Sequence, residues 1–196
     1  MSSIIRADTI QDLSGNNIIN ENGNTITIGA SGDTTNIVGT LQNNGSAVGG
    51  ANTPAFKVYD TSDQSVTDNA YVKATFGTEE YDTDSAFDSN KFTVPSGEGG
   101  KYLFYGSMGF NSNAVNDISY ADVTIYKNGS AATAGPRHFL YNDTTGFVRS
   151  VVFSYTGVLT LAAGDYVEVY GRIDDINGSS MVFAGRSFAG HKLIGI

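Results

Sequence analysis

Histidine is the side chain best suited to proton transfer near neutral pH, and it occurs only at His138 and His191. Neither belongs to a nucleophile motif or to a His-x-x-x-His or Cys/His metal spacing, and the chain contains no Cys. His191 sits at a strand end and reads as structural. His138 lies near Arg137 and Tyr141 in a looser stretch. No catalytic residue, and hence no enzyme, is expected. Carboxylates cluster twice, at Asp82-Thr83-Asp84 with Asp88 and at Asp174-Asp175 with Asn177. Oxygen-rich loops of this kind suit Ca²⁺, which makes Asp82, Asp84, Asp174 and Asp175 the candidate ligands for an ion. Neither cluster has EF-hand spacing, and solvated loop charge is the competing interpretation. No other cofactor is expected. Tyr and Asn in loops are adaptable contact groups for glycan or protein surfaces. Tyr141, Asn142, Asp143, Asp174, Asp175 and Asn177 are therefore the candidate recognition residues, against the reading that they form ordinary polar turns.

The elements that position these groups are strands. The 196 residues include 24 Gly, 11 Tyr and 11 Phe, and no segment keeps apolar residues at i, i+3, i+4, i+7 over three turns. The stretch from Val148 to Gly171 reads as a hairpin. Val148 to Leu159 alternates and is apolar on both faces in its middle, which predicts a strand buried on both sides. A turn at Leu161–Asp165 leads to a second strand at Tyr166–Gly171. Further strands are expected at Phe56–Tyr59, Gln64–Val66, Tyr71–Phe76, Lys91–Val94, Lys101–Phe110, Ile118–Tyr126 and from Met181 onward. An acidic loop is expected at Glu79–Asp84, a turn at Lys127-Asn128-Gly129, and a looser segment over 130–146. Turns every 8–15 residues predict a sandwich or jelly roll for the head, residues 54–196. Residues 1–53 differ sharply, with 29 of them Gly, Asn, Ser or Thr and no aromatic before Phe56. Apolar pairs such as Ile4-Ile5 and Ile18-Ile19 recur between turn signals such as Asn22-Gly23. This pattern predicts a β-rich fibrous arm rather than a flexible linker, with a hinge at Gly49–Pro54.

The net charge is −9, from 11 basic and 20 acidic residues. Without clustered Lys and Arg, nucleic acid and anionic membrane surfaces are not expected partners. No apolar run approaches the ~20 residues of a membrane span, and the N-terminus carries no pattern of a cleaved leader.

Four motifs in the head resemble the complement component 1q and tumour-necrosis-factor superfamily. They are Phe92-Thr93-Val94-Pro95 followed by Tyr102 and Phe104; Val123 to Gly129 with its Lys-Asn-Gly turn; Leu159 to Val169 with its Ala-Gly-Asp turn; and Phe188-Ala189-Gly190-His191-Lys192-Leu193. The resemblance implies an all-β jelly roll of about ten strands that forms a homotrimer and has no catalytic activity. It implies that Phe92, Val94, Val151, Phe153, Tyr155 and Phe188 are divided between the protomer core and the trimer interface. The arm, in Met1–Asp8 and Ile26–Asp33, resembles fibre proteins of tailed bacteriophages. The pair of resemblances implies a virion fibre whose arm joins other virion proteins. The trimeric tip would then attach non-covalently to a host-surface glycan or protein. The alternative is a purely structural virion or surface-assembly protein whose head drives trimerisation.

Overall fold

The computed structural model describes residues 37–39, 41–43, 46–47, 52–113, 117–132, 137–141 and 148–193. The segments 1–8 and 26–33, and the recognition candidates Asn142 and Asp143, lie outside them. The chain divides into two units at Val48/Gly49. In the first, β1 (Gln42–Asn43) pairs antiparallel with β2 (Ser46–Ala47).

The second unit is an all-β sandwich, and its described residues contain no helix. Its strands are β3 (Ala55–Asp60), β4 (Gln64–Val66), β5 (Val72–Lys73), β6 (Thr78–Asp82), β7 (Phe87–Asp88), β8 (Lys91–Thr93), β9 (Gly100–Ser112), β10 (Ile118–Lys127), β11 (Ser130–Ala131), β12 (Arg137–Tyr141), β13 (Ser150–Leu161), β14 (Tyr166–Asp175) and β15 (Met181–Lys192). One sheet runs β13-β9-β15-β3-β6, with β4 also on β15. The other runs β11-β10-β14-β8-β7, with β12 on β10 and β5 on β14. All pairings are antiparallel.

Alternation puts one face of each sheet inward, and large rings fill the space between them. Phe56 stacks on Phe92 with centroids 4.9 Å apart and meets Phe188 edge-on at 5.0 Å. Tyr102 lies 5.5 Å from Phe92, and Phe104 lies 5.8 Å from Phe188. Gly190 allows this approach, since a Cβ there would sit 2.5 Å from the Phe104 ring. Burial and the nearby Glu98 and Asp84 charges push the Tyr102 hydroxyl up to about 12.

The structure changes four expectations. The strands of Val148–Gly171 do not form a hairpin: β13 pairs with β9, whereas β14 pairs with β10 and β8 in the opposite sheet. The Ala-Gly-Asp turn therefore carries the chain from one layer to the other. Nor is β13 buried on both faces. It is the edge of its sheet, with Tyr155, Leu159 and Leu161 inward and Val152 and Val158 outward. The acidic stretch at Glu79–Asp84 begins as a strand, β6 on β3, and the looser segment contains β12.

The two turns that mark the resemblance lock each other. Asn128 and Gly129 both have positive φ, 51° and 78°, as a tight two-residue hairpin requires. The Asp165 carboxylate accepts from Asn128 Nδ2 at 2.7 Å and from the Ala162 N–H at 2.8 Å, and it pairs with Lys127 Nζ at 2.8 Å. The Tyr166 N–H donates to Asn128 Oδ1 at 2.9 Å.

Candidate functional site

The two acidic clusters are built into their own loops. Asp82 Oδ2 accepts from the Phe87 N–H at 2.7 Å, and Asp84 Oδ2 from the Thr83 hydroxyl at 2.6 Å. Asp175 is buried, and its carboxylate accepts from the Ser112 hydroxyl and from the N–H groups of Asn177 and Ser179. Burial pushes this carboxyl up, but those hydrogen bonds outweigh it and hold the group below its usual range. Asp175 and Asn177 thus shape a turn, and Asp174 follows with its carbonyl accepting from Ser119. Among the described residues no group of three His, Cys, Asp or Glu side chains is placed to hold a metal ion. His191 lies on the outer face of the six-stranded sheet, 6.4 Å from the Tyr105 ring. The His138 side chain lies outside the described residues.

The six candidates for the trimer interface all fall on the core side. Phe92, Val94, Tyr155 and Phe188 are buried within the single chain, and Val151 and Phe153 pack against the same core. Phe92 is moreover in the seven-stranded sheet. Strand parity is the reason: Val151, Phe153 and Tyr155 share one face of β13, and their neighbours take the other.

That other face is flat and mixed. One row across the sheet runs Thr156, Tyr105, Ala189, Lys57, Tyr81, and the next runs Ser154, Ser107, Ser187, Tyr59. Small residues also flank Val152, which stands opposite Gly109 and then Ala184. Val152 is 65 % exposed and Val158 47 %. An edge of exposed valines beside serines, Gly109 and alanines is a surface another flat surface can cover.

The outer face of the seven-stranded sheet differs. β10 turns Tyr120, Asp122, Thr124 and Tyr126 outward, opposite to Ala121, Val123 and Ile125. Tyr126 stacks on Tyr170 of β14 at 4.0 Å and lies 6.2 Å from Tyr71. The Arg172 guanidinium sits 5.3 Å over the Tyr71 ring and 4.0 Å over Tyr120. Tyr120 in turn stacks on Phe139 at 6.3 Å and meets Tyr141 edge-on at 6.5 Å. Beneath these rings Asp122 is buried, with Oδ2 accepting from the Tyr71 hydroxyl at 2.6 Å and the Tyr120 hydroxyl at 2.9 Å. Glu168 is buried too, paired with Lys73 at 2.7 Å. Of the described recognition candidates, only Tyr141 joins this set by a ring contact. Tyr71, Tyr120, Tyr126 and Tyr170 were visible in the sequence only as positions of expected strands, whereas Phe139 fell in the looser segment and Arg172 just past the expected end of its strand.

No family model matches the chain, and no curated protein does. Among solved structures, the globular domain of zebrafish complement 1qA is similar with a TM-score of 0.51 at 19 % identity, covering 74 % of this chain and all of that one. The fold is that of a complement 1q globular domain. A second neighbour, the Eiger tumour-necrosis factor of S. frugiperda, has a TM-score of 0.47 at 13 % identity over 72 % of this chain and 93 % of its own.

Proposed function

We propose that this chain is a fibre protein of a tailed bacteriophage. Residues 1–53 act as shaft and join other virion proteins. The head is a homotrimeric, non-enzymatic tip that attaches the virion to the host surface. The observation that carries the trimer is the outer face of the six-stranded sheet, where exposed Val152, Val158 and Tyr105 adjoin small side chains such as Ser107, Ala184 and Ser187. A second and a third copy would cover it. The fibre setting is supported by the resemblance of the arm, and the attachment role by the multivalency that three copies supply, since weak sites on one axis gain avidity without new contacts.

The test uses the purified full-length chain. Light scattering is expected to give three copies per particle, and the protein is expected to adsorb to host cells and compete with virions for them. A particle that is trimeric yet neither adsorbs nor competes would leave only the structural role; a monomer would sink the trimeric tip.

A further inference from the structure

We infer that the aromatic face of the seven-stranded sheet is a binding platform for an uncharged polysaccharide chain. The inference rests on the attachment reading for its setting and names the ligand class. Tyr120 to Tyr126 spans about 20 Å of one strand at ~3.4 Å per residue. Across that length the rings of Tyr126, Tyr71, Tyr120 and Phe139 follow one another at 6.2 to 6.3 Å where two rings adjoin, with Arg172 held between Tyr71 and Tyr120. A pyranose ring presents a face of C–H groups and a rim of hydroxyls. A row of rings accepts the faces, and polar groups between the rings reach the rim. Phe139 and Tyr141 are 61 % and 71 % exposed, so ring surface is open at one end of the row.

The electrostatics select the ligand. Among the described side chains of the row, Lys73 and Arg172 stand against Glu168, Asp122 and Asp174, so these groups carry no positive excess on a chain of net charge −9. A polyanion would meet no excess of positive charge, which disfavours single-stranded nucleic acid despite the stacking surface. The hot spot of a protein interface is usually apolar at its centre with charge at its rim. Here charged groups lie between the rings. Several are held before any ligand arrives: Tyr71 and Tyr120 are fixed through Asp122, and Lys73 through Glu168. A platform set in advance loses little side-chain freedom on binding.

The test is a glycan array carrying neutral and acidic bacterial polysaccharides, probed with the full-length chain at low and high salt, beside adsorption to host cells. Binding to neutral glycans is expected, insensitive to salt and weakened about tenfold by Phe139→Ala or Tyr141→Ala, since losing one ring contact removes about 1.4 kcal/mol. Both residues are exposed, so the variants are expected to keep the melting temperature of the parent. Tyr120→Phe keeps the ring and is expected to bind more tightly than Tyr120→Ala. Ile176→Ala, in a turn off the row, is expected to bind as the parent does. Retention of acidic glycans only, of none, or of neutral glycans equally by the ring variants would overturn the platform. If the ring variants still adsorb to cells, the platform fails and attachment stands. If the parent binds neutral glycans but adsorbs to no cell, attachment fails and the platform stands.

Discussion

The two faces of β13 can be separated by one pair of substitutions. Val152→Asp places a carboxylate on the outward face, and Tyr155→Phe removes one hydroxyl from the inward face. A valine side chain moved fully out of water contributes roughly 1.5–3 kcal/mol. Val152 is 65 % exposed in the single chain, so covering it is worth about 1–2 kcal/mol per copy. Over three copies that is about 3–6 kcal/mol of assembly energy, and burying three like charges adds a further cost. Val152→Asp is therefore expected to weaken the trimer at least a hundredfold while shifting the stability of the isolated head by no more than about 0.5 kcal/mol. Tyr155→Phe acts the other way. Its hydroxyl donates to the Ser187 carbonyl at 2.8 Å in a buried site, and losing that bond costs about 1–2 kcal/mol of folding stability without exposing a new surface. Sedimentation across a concentration series reads the first effect, and thermal unfolding of the same samples reads the second. A Val152→Asp chain that remains a trimer at micromolar concentration would refute the assignment of that face.

Three further outcomes follow from the fold. Arg186 is buried, and its guanidinium donates to the carbonyls of Thr75, Ser62 and Phe183 and lies 3.2 Å from Asp60; Arg186→Met strands those acceptors and Asp60, and is expected to cost about 3–5 kcal/mol in denaturant unfolding. Asp165 is held down to about 2 by its bonds to Lys127, Asn128 and the Ala162 N–H. Its contribution is thus complete above the ordinary carboxylate value of ~4 and is lost as pH falls toward 2; with solvent screening this amounts to about 1 kcal/mol, and Asp165→Asn should remove that acid-dependent part of the melting curve. Phe56→Ala opens the centre of the ring cluster and is expected to cost about 3–5 kcal/mol in the same unfolding assay.

The strands and turns were legible because their signals are local. Ala121, Val123 and Ile125 announce an inward face by period alone, and Asn128-Gly129 announces a tight hairpin by its φ requirement. The partners of each strand were not legible in the same way. Val148–Gly171 looks like a hairpin because a short turn joins two alternating runs, yet that turn is equally able to cross between layers ~10 Å apart. Which it does depends on β9 and β10, each more than twenty residues upstream of the strand it takes. The same limit governed the sites. Asp174-Asp175 with Asn177 has a composition that suits an ion, but one distant hydroxyl, Ser112, and the backbone of 177–179 take the Asp175 carboxylate. Tyr71, Arg172 and Phe139 come from three separate stretches and become one surface only through the registers of β5, β14, β10 and β12.

The two outer faces of the sandwich have opposite chemistry, and this bears on how a tip of three copies would work. A mixed face with exposed valines along its edge and serines and alanines between its tyrosines gains by being covered, because the valines leave water and the small side chains allow close approach. A face of tyrosines around the Lys73–Glu168 pair gains less by being covered with another protein surface, since polar groups lie between its rings and the Tyr71 and Tyr120 hydroxyls already donate to Asp122. Stacking on the first face leaves the second one turned to solvent in each copy, so one choice of interface sets both the valence and the direction of recognition. Charge bears on this division. At −9 per chain copies would repel at long range, which suppresses random association, so in the proposed trimer short-range contact at the six-stranded face would have to drive assembly. On the platform proposed for the opposite face, an uncharged polymer would approach without working against that field.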